Sequence, residues 1–135
     1  MMDSPLRVSQ WIAHARREFS AAGLDDTATD ARMLVGGVLS LSNTEIVAGV
    51  DRIVGPDEAA ALSDAISRRL TREPVHRILG RRAFHGLELG LSAATLEPRP
   101  DTEILVDRML SRLGDHSAEV RILDLGTGRD RKSVV

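Results

Sequence analysis

The chain has 135 residues, 42% hydrophobic and 28% charged, with a formal net charge of −2 and no cysteine. Such values fit one globular domain, or one small domain and part of another, and exclude disulfides and thiolate metal sites. They supply no broad electrostatic drive toward nucleic acid or an anionic membrane, and no apolar run approaches the roughly 18 residues of a membrane span.

No signal-peptide pattern opens the chain, so a cytoplasmic location is expected. Aromatic residues make up only 2% (Trp11, Phe19 and Phe84), so a core has to be built from Leu, Val, Ile and Ala. All but one of the 18 basic residues are arginine, and the lone lysine, Lys132, lies in the last residues.

Ser4-Pro5 predicts a helix start, a capping hydroxyl followed by a proline whose missing N–H costs nothing there. Val8, Trp11, Ile12, Ala15 and Phe19 follow at helical spacing, and Gly23 ends the run. A second helix is predicted from Asp26 or Thr27, with Ala31, Leu34, Val35, Val38 and Leu39 on one face. Gly36-Gly37 weakens it by roughly 1 kcal/mol per glycine relative to alanine. Ser42-Asn43 predicts a cap for a short helix at about Thr44 to Val50. Gly55-Pro56-Asp57-Glu58 opens a fourth helix with carboxylates at its positive end. Its stripe is Ala59, Leu62, Ala65, Ile66 and Leu70, and Pro74 is expected to stop it. Together these segments predict a helical bundle over residues 1–80.

The period then changes. Leu87, Leu89 and Leu91 alternate as in a strand with one buried face, and His85-Gly86 suits a hairpin turn. A hairpin linker over residues 81–100 is predicted. Pro98 and Pro100 bracket Arg99 in a stiff loop, which makes Arg99 a candidate functional side chain; the plainer reading is a salt bridge that pins the linker. Asp101 or Thr102 should cap a helix carrying Ile104, Leu105, Met109, Leu110 and Leu113, ended by Gly114. A strand from Val120 to Leu125 is expected next.

That strand runs into Asp124-Leu125-Gly126-Thr127-Gly128. Glycines there let a backbone approach a ligand, and a following helix would aim its N–H groups at a negative group. A dinucleotide fingerprint wants a third glycine where Arg131 stands. Alone, this pattern leaves a ligand loop and a plain turn open.

The wider constellation is more specific. Residues 5–128, with Pro98-Arg99-Pro100-Asp101-Thr102-Glu103 and Asp124-Leu125-Gly126-Thr127-Gly128 in that order, resemble the release-factor glutamine methyltransferases (the PrmC/HemK family). The resemblance implies an α plus α/β architecture: an N-terminal helical bundle, a β-hairpin linker, then the start, over residues 101–128, of a Rossmann-like class I methyltransferase domain. It implies S-adenosylmethionine as cofactor, held in part by Asp124, Gly126, Thr127 and Gly128. It further implies peptide chain release factors as partners, methylated on the glutamine of their Gly-Gly-Gln motif.

The sequence departs from the family at Glu97, usually apolar, at Arg77, often aromatic, and from Arg129 onward. The family's catalytic Asn-Pro-Pro-Tyr motif does not occur in these residues, so no catalytic residue is assigned. Residues 129–135 are expected to be a non-native tail, such as adapter read-through leaves, with natural truncation as the rival. One wall of a cofactor pocket remains, so no measurable cofactor binding is expected from these residues alone. A lone strand cannot satisfy its edges, so packing after about residue 115 should be poor.

The remaining expectations are bland. His14, His76, His85 and His116 lack metal-ligand spacing, and no metal is expected. Arg68, Arg69, Arg72, Arg77, Arg81 and Arg82 form a basic cluster, either a solvated face or a docking surface. A monomer without membrane or direct nucleic-acid contact is expected. Two rivals stand beside the enzyme: a helical release-factor-binding module without catalysis, and a piece of an adenine-specific DNA methyltransferase. The acidic balance and the bundle-then-hairpin order weigh against the latter.

Overall fold

The computed structural model describes residues 5–114, 119–123 and 125. The chain divides into two units, Met1–Leu79 and Gly80–Val135.

The first unit holds five helices: α1 (Val8–Ala21), α2 (Thr27–Val38), α3 (Asn43–Val47), α4 (Pro56–Leu70) and α5 (Val75–Leu79). Helix α2 is central and touches each of the other four. The core is aliphatic apart from Trp11 and Phe19, which lie with Val8 and Ala15 on one stripe of α1. Ala31, Leu34 and Val35 of α2 and Leu62, Ala65 and Ile66 of α4 complete it. All three predicted stripes therefore face the core, with Ile12, Val38, Ala59 and Leu70 partly buried against it.

The start of α1 differs from expectation. Ser4 lies outside the described residues, and the helix begins at Val8. Instead of coiling, Arg7 forms an antiparallel bridge with Ile53. Val8 N–H donates to Arg52 O at 3.0 Å, and Val54 N–H donates to Leu6 O at 2.9 Å. This ladder ties the chain entry to the loop before α4 and takes residues the proline signal had assigned to the helix.

Four helices end in the same closure, in which a left-handed residue lets the next N–H reach back five residues. After α1, Gly23 (φ 66°) turns the chain and Leu24 N–H donates to Phe19 O at 3.0 Å. Leu24 and Phe19 are both buried, so the polar closure carries an apolar contact. Gly49 does the same for α3, with Val50 N–H on Glu45 O, ending that helix before the predicted Val50. Ser40 (φ 55°) closes α2 and Arg72 (φ 70°) closes α4, although neither is glycine. Thus α4 ends at Leu70, four residues before Pro74. Helix α5 was not anticipated: Pro74 opens it, its carbonyl accepting from Arg77 N–H and Ile78 N–H.

The Gly36-Gly37 pair has a packing role that a propensity scale does not show. A β-carbon at Gly36 would stand 2.3 Å from Ile46 Cδ1 of α3, and one at Gly37 would stand 2.5 Å from Leu79 Cδ1 of α5. The bare backbone seats both short helices on α2.

The second unit contains β1 (Arg81–Phe84), β2 (Leu87–Gly90) and α6 (Pro100–Leu113). The strands pair antiparallel, with Phe84 opposite Leu87 and Arg81 opposite Gly90. His85 (φ 46°) and Gly86 (φ 75°) both have positive φ, as a two-residue hairpin turn of matching twist requires. Helix α6 has its cap at Arg99 and Pro100 in the first turn, two or three residues earlier than predicted. The fixed φ of proline suits that position.

None of the described residues of this unit is fully buried. Of the alternating leucines, Leu87 and Leu89 lie in β2 and Leu91 just beyond it, without forming a buried face: Leu87 is 64% exposed. The strand expected from Val120 to Leu125 is not seen: 119–123 and 125 carry no regular secondary structure, and Asp124 lies outside the described residues. Ile122, Leu123 and Leu125 are exposed. An extended segment becomes a strand only when a neighbour takes its N–H and C=O groups, and none of the described residues does. The Rossmann-like start is accordingly not shown by the described residues.

Candidate functional site

The segment that carries the most specific motif, residues 81–113, is held together by polar links. Arg82 of β1 pairs with Glu97 in the following loop, both side chains about four-fifths buried. That pairing accounts for the acid at a position where an apolar residue was expected. At the hairpin turn, His85 N–H donates to Glu103 Oε1 at 2.8 Å, and its Nε2 lies 2.8 Å from Asp107 Oδ1. Glu103 and Asp107 sit one turn apart on α6, so a single helix face holds both ends of the turn residue. The Pro98-Arg99-Pro100 stretch is thus fastened on both sides.

Arg99 itself is exposed at the cap of α6 and makes no ion pair with the described residues. The salt bridge offered as its plain reading belongs instead to Arg82.

Asp124, Gly126, Thr127 and Gly128, expected to touch a cofactor, lie outside the described residues, as does His116. His14 stands 4.0 Å from Glu18 and meets Trp11 edge-on at 5.9 Å. Among the described residues, no group of His, Asp and Glu side chains could hold a metal ion. No helix among them is long and apolar enough to cross a membrane.

The basic cluster is largely matched by acids. Arg69 of α4 pairs with Asp30 of α2 at 2.8 Å, 15% and 19% exposed, and also donates to Glu73 O. Arg68 takes Glu73 in a two-point pair at 2.6 and 2.8 Å and holds that carboxyl below its ordinary range. Arg81 lies 3.7 Å from Glu88, and Arg82 has Glu97. These contacts favour the structural reading of the cluster over a cationic docking face.

Sequence reasoning missed a groove in the first unit. It has a volume of about 480 Å³ and lies where α2, α3 and α5 meet, above Gly36 and Gly37. Met33, Leu41, Ile46, Val47 and Leu79 supply its apolar lining, with Arg32 and Thr29 of α2 and Asn43 of α3 as polar neighbours. Two adjacent glycines inside an otherwise regular helix were the signal that a neighbour approaches closely there.

The sequence signature of the PrmC N-terminal domain matches residues 10–80. The chain belongs to the PrmC N-terminal domain family. The match covers nearly all of the helical unit that ends at Leu79 and stops before the hairpin. Curated relatives extend the likeness through the hairpin and α6. The chain is 49% identical to the release factor glutamine methyltransferase of Agrobacterium fabrum, over 90% of this chain and 43% of that protein. It is 46% identical to the one from Rhodospirillum rubrum, over 93% of this chain and 38% of the relative. For the Bradyrhizobium diazoefficiens protein the identity is 43%, over 88% and 42%. The chain therefore spans about two-fifths of the length of the curated relatives it matches.

Proposed function

We propose that these residues are the N-terminal part of a peptide chain release factor glutamine N5-methyltransferase. The observation that carries this reading is the 49% identity with the Agrobacterium protein, sustained over 90% of the chain. That share reaches beyond the helical domain into the Pro98-to-Glu103 segment. The proposed organisation is a bundle at 1–80, a hairpin linker at 81–100 and the start of a Rossmann-like methyltransferase domain at 101–128. The helical bundle is the release-factor docking part of a cytoplasmic, monomeric enzyme.

Transfer to a glutamine side chain is chemically demanding because the amide nitrogen lone pair is delocalised into the carbonyl. Acceptors for the amide N–H groups, and alignment of the nitrogen with the methyl carbon, lower that barrier. S-adenosylmethionine, when bound, supplies the electrophilic methyl group. The donor chemistry of Gly126, Thr127 and Gly128 suits it, since bare backbone N–H groups can approach a ligand closely and Asp124 can order the loop. The amide-binding groups belong to the whole protein.

A chimera tests the reading. Residues 1–128 replace the matching segment of the Agrobacterium relative, and methylation of the release-factor glutamine is followed by mass spectrometry. Transfer of one methyl group to the Gly-Gly-Gln glutamine is expected. A chimera that folds and binds the cofactor but leaves the release factor unmodified overturns the assignment.

A further inference from the structure

We propose that the groove between α2, α3 and α5 docks a peptide segment of a partner protein that presents an aliphatic side chain beside a carboxylate. The inference is independent of the methyl-transfer reading and rests on the groove alone. Its volume of about 480 Å³ lies within the roughly 300–1,000 Å³ of pockets that enclose small ligands. Met33, Leu41, Ile46 and Leu79 are all half-buried around it, and Val47 at its edge is 73% exposed. A large aliphatic side chain so open to water gains from being covered.

Charge decides the second half of the match. Arg32 is exposed on the groove wall, and its Nε donates to Ala28 O at 3.2 Å, which leaves its terminal amines free of that bond. It makes no ion pair with the described residues, whereas Arg52, Arg68 and Arg69 of the same unit each hold a carboxylate within 3 Å. Among the described residues, no carboxylate lines the groove. An apolar trough beside an unmatched guanidinium is complementary to an aliphatic residue flanked by Asp or Glu, and it disfavours a basic peptide.

The test selects a displayed library of short random peptides on the full chain. Enriched peptides should carry Leu, Ile or Met next to Asp or Glu, and their binding should perturb the methyl resonances of Met33, Ile46 and Leu79. Arg32→Glu, an exposed change that spares the fold, should lower their affinity at least tenfold and redirect selection toward Lys- or Arg-flanked sequences. Val47→Asp should weaken the original peptides at least tenfold. The proposal is overturned by selection that yields no shared pattern, by peptides without a carboxylate, or by binding that ignores either substitution.

Discussion

Asp51 Oδ1 accepts the backbone N–H of Ser9 at 2.9 Å across 42 positions of sequence. Helix α1 is therefore capped not by its own leading residue but by the loop before α4, which also takes Val8 N–H on Arg52 O and the Arg7 guanidinium on Asp51 O. The Ser9 backbone N–H holds the Asp51 carboxyl below its ordinary range, with Arg7 adding to the effect. A carboxyl lowered in the folded state contributes fully above its unfolded pKa and loses that contribution as pH falls through the folded one. Asp51→Ala should lower the urea midpoint at neutral pH and remove part of the acid-side dependence. Asp51→Asn, a comparable cap without charge, should keep most of the midpoint and lose the same pH dependence.

The Glu58 side chain takes Arg52 at two points, 2.6 and 2.8 Å, and accepts Gly55 N–H at 3.1 Å. Arg52 is the larger cause, and together they bring the Glu58 carboxyl to about 2. Its contribution to stability is fully present above the ordinary glutamate range and fades as pH falls toward 2. A carboxyl NMR titration of Arg52→Ala should show the Glu58 midpoint moving well up toward that range. An unmoved midpoint would show that the guanidinium pair is not its cause.

Arg72 holds a left-handed backbone at φ 70° at the end of α4, a conformation that costs a side-chain-bearing residue about 1–2 kcal/mol. Glycine relieves this but loses more freedom on folding, so Arg72→Gly should stabilise the chain by about 0.5–1 kcal/mol. Ser40→Gly at the end of α2 should act in the same direction. Urea denaturation followed by circular dichroism checks both, and a lowered midpoint in either variant contradicts the closure described for that helix.

The two helical glycines should respond differently to alanine. At Gly37 the new methyl would press on Cδ1, Cδ2 and Cγ of Leu79, at 2.5, 2.6 and 3.1 Å, so a whole side chain has to move. Overpacking of about 1–3 kcal/mol outweighs the roughly 1 kcal/mol helix gain, and Gly37→Ala should destabilise. At Gly36 the single close atom is Ile46 Cδ1, the tip of a half-buried chain bordering the groove. Gly36→Ala should therefore cost less, and equal losses in denaturation midpoint would refute the distinction.

Much of the bundle was legible because burial and helical period coincide: Val8, Trp11, Ala15 and Phe19 could be read as one stripe before any fold was known. Boundaries were less legible. The Ser4-Pro5 signal lost to a tertiary bridge between Arg7 and Ile53, and Pro74 was read as a stop when it also starts α5. The glycine pair was read for its propensity alone, since Ile46 and Leu79 are distant in sequence. The reverse failure occurs at Leu87, Leu89 and Leu91, where alternation announced a buried face that the described residues do not cover. The residues read as a cofactor loop, Asp124 and Gly126 to Gly128, were legible as a motif only. Their place in space lies outside the described residues.

Trp11, the sole indole of the chain, is only 7% exposed, and its Nε1 has no hydrogen-bond partner among the described residues. It belongs wholly to the helical unit, and the hairpin and α6 contribute no such chromophore. Intrinsic emission is thus a built-in reporter for one half of the polypeptide and blind to the other. Any gap between the emission and far-ultraviolet melting curves would measure how independently the hairpin unit comes apart, without a label being attached.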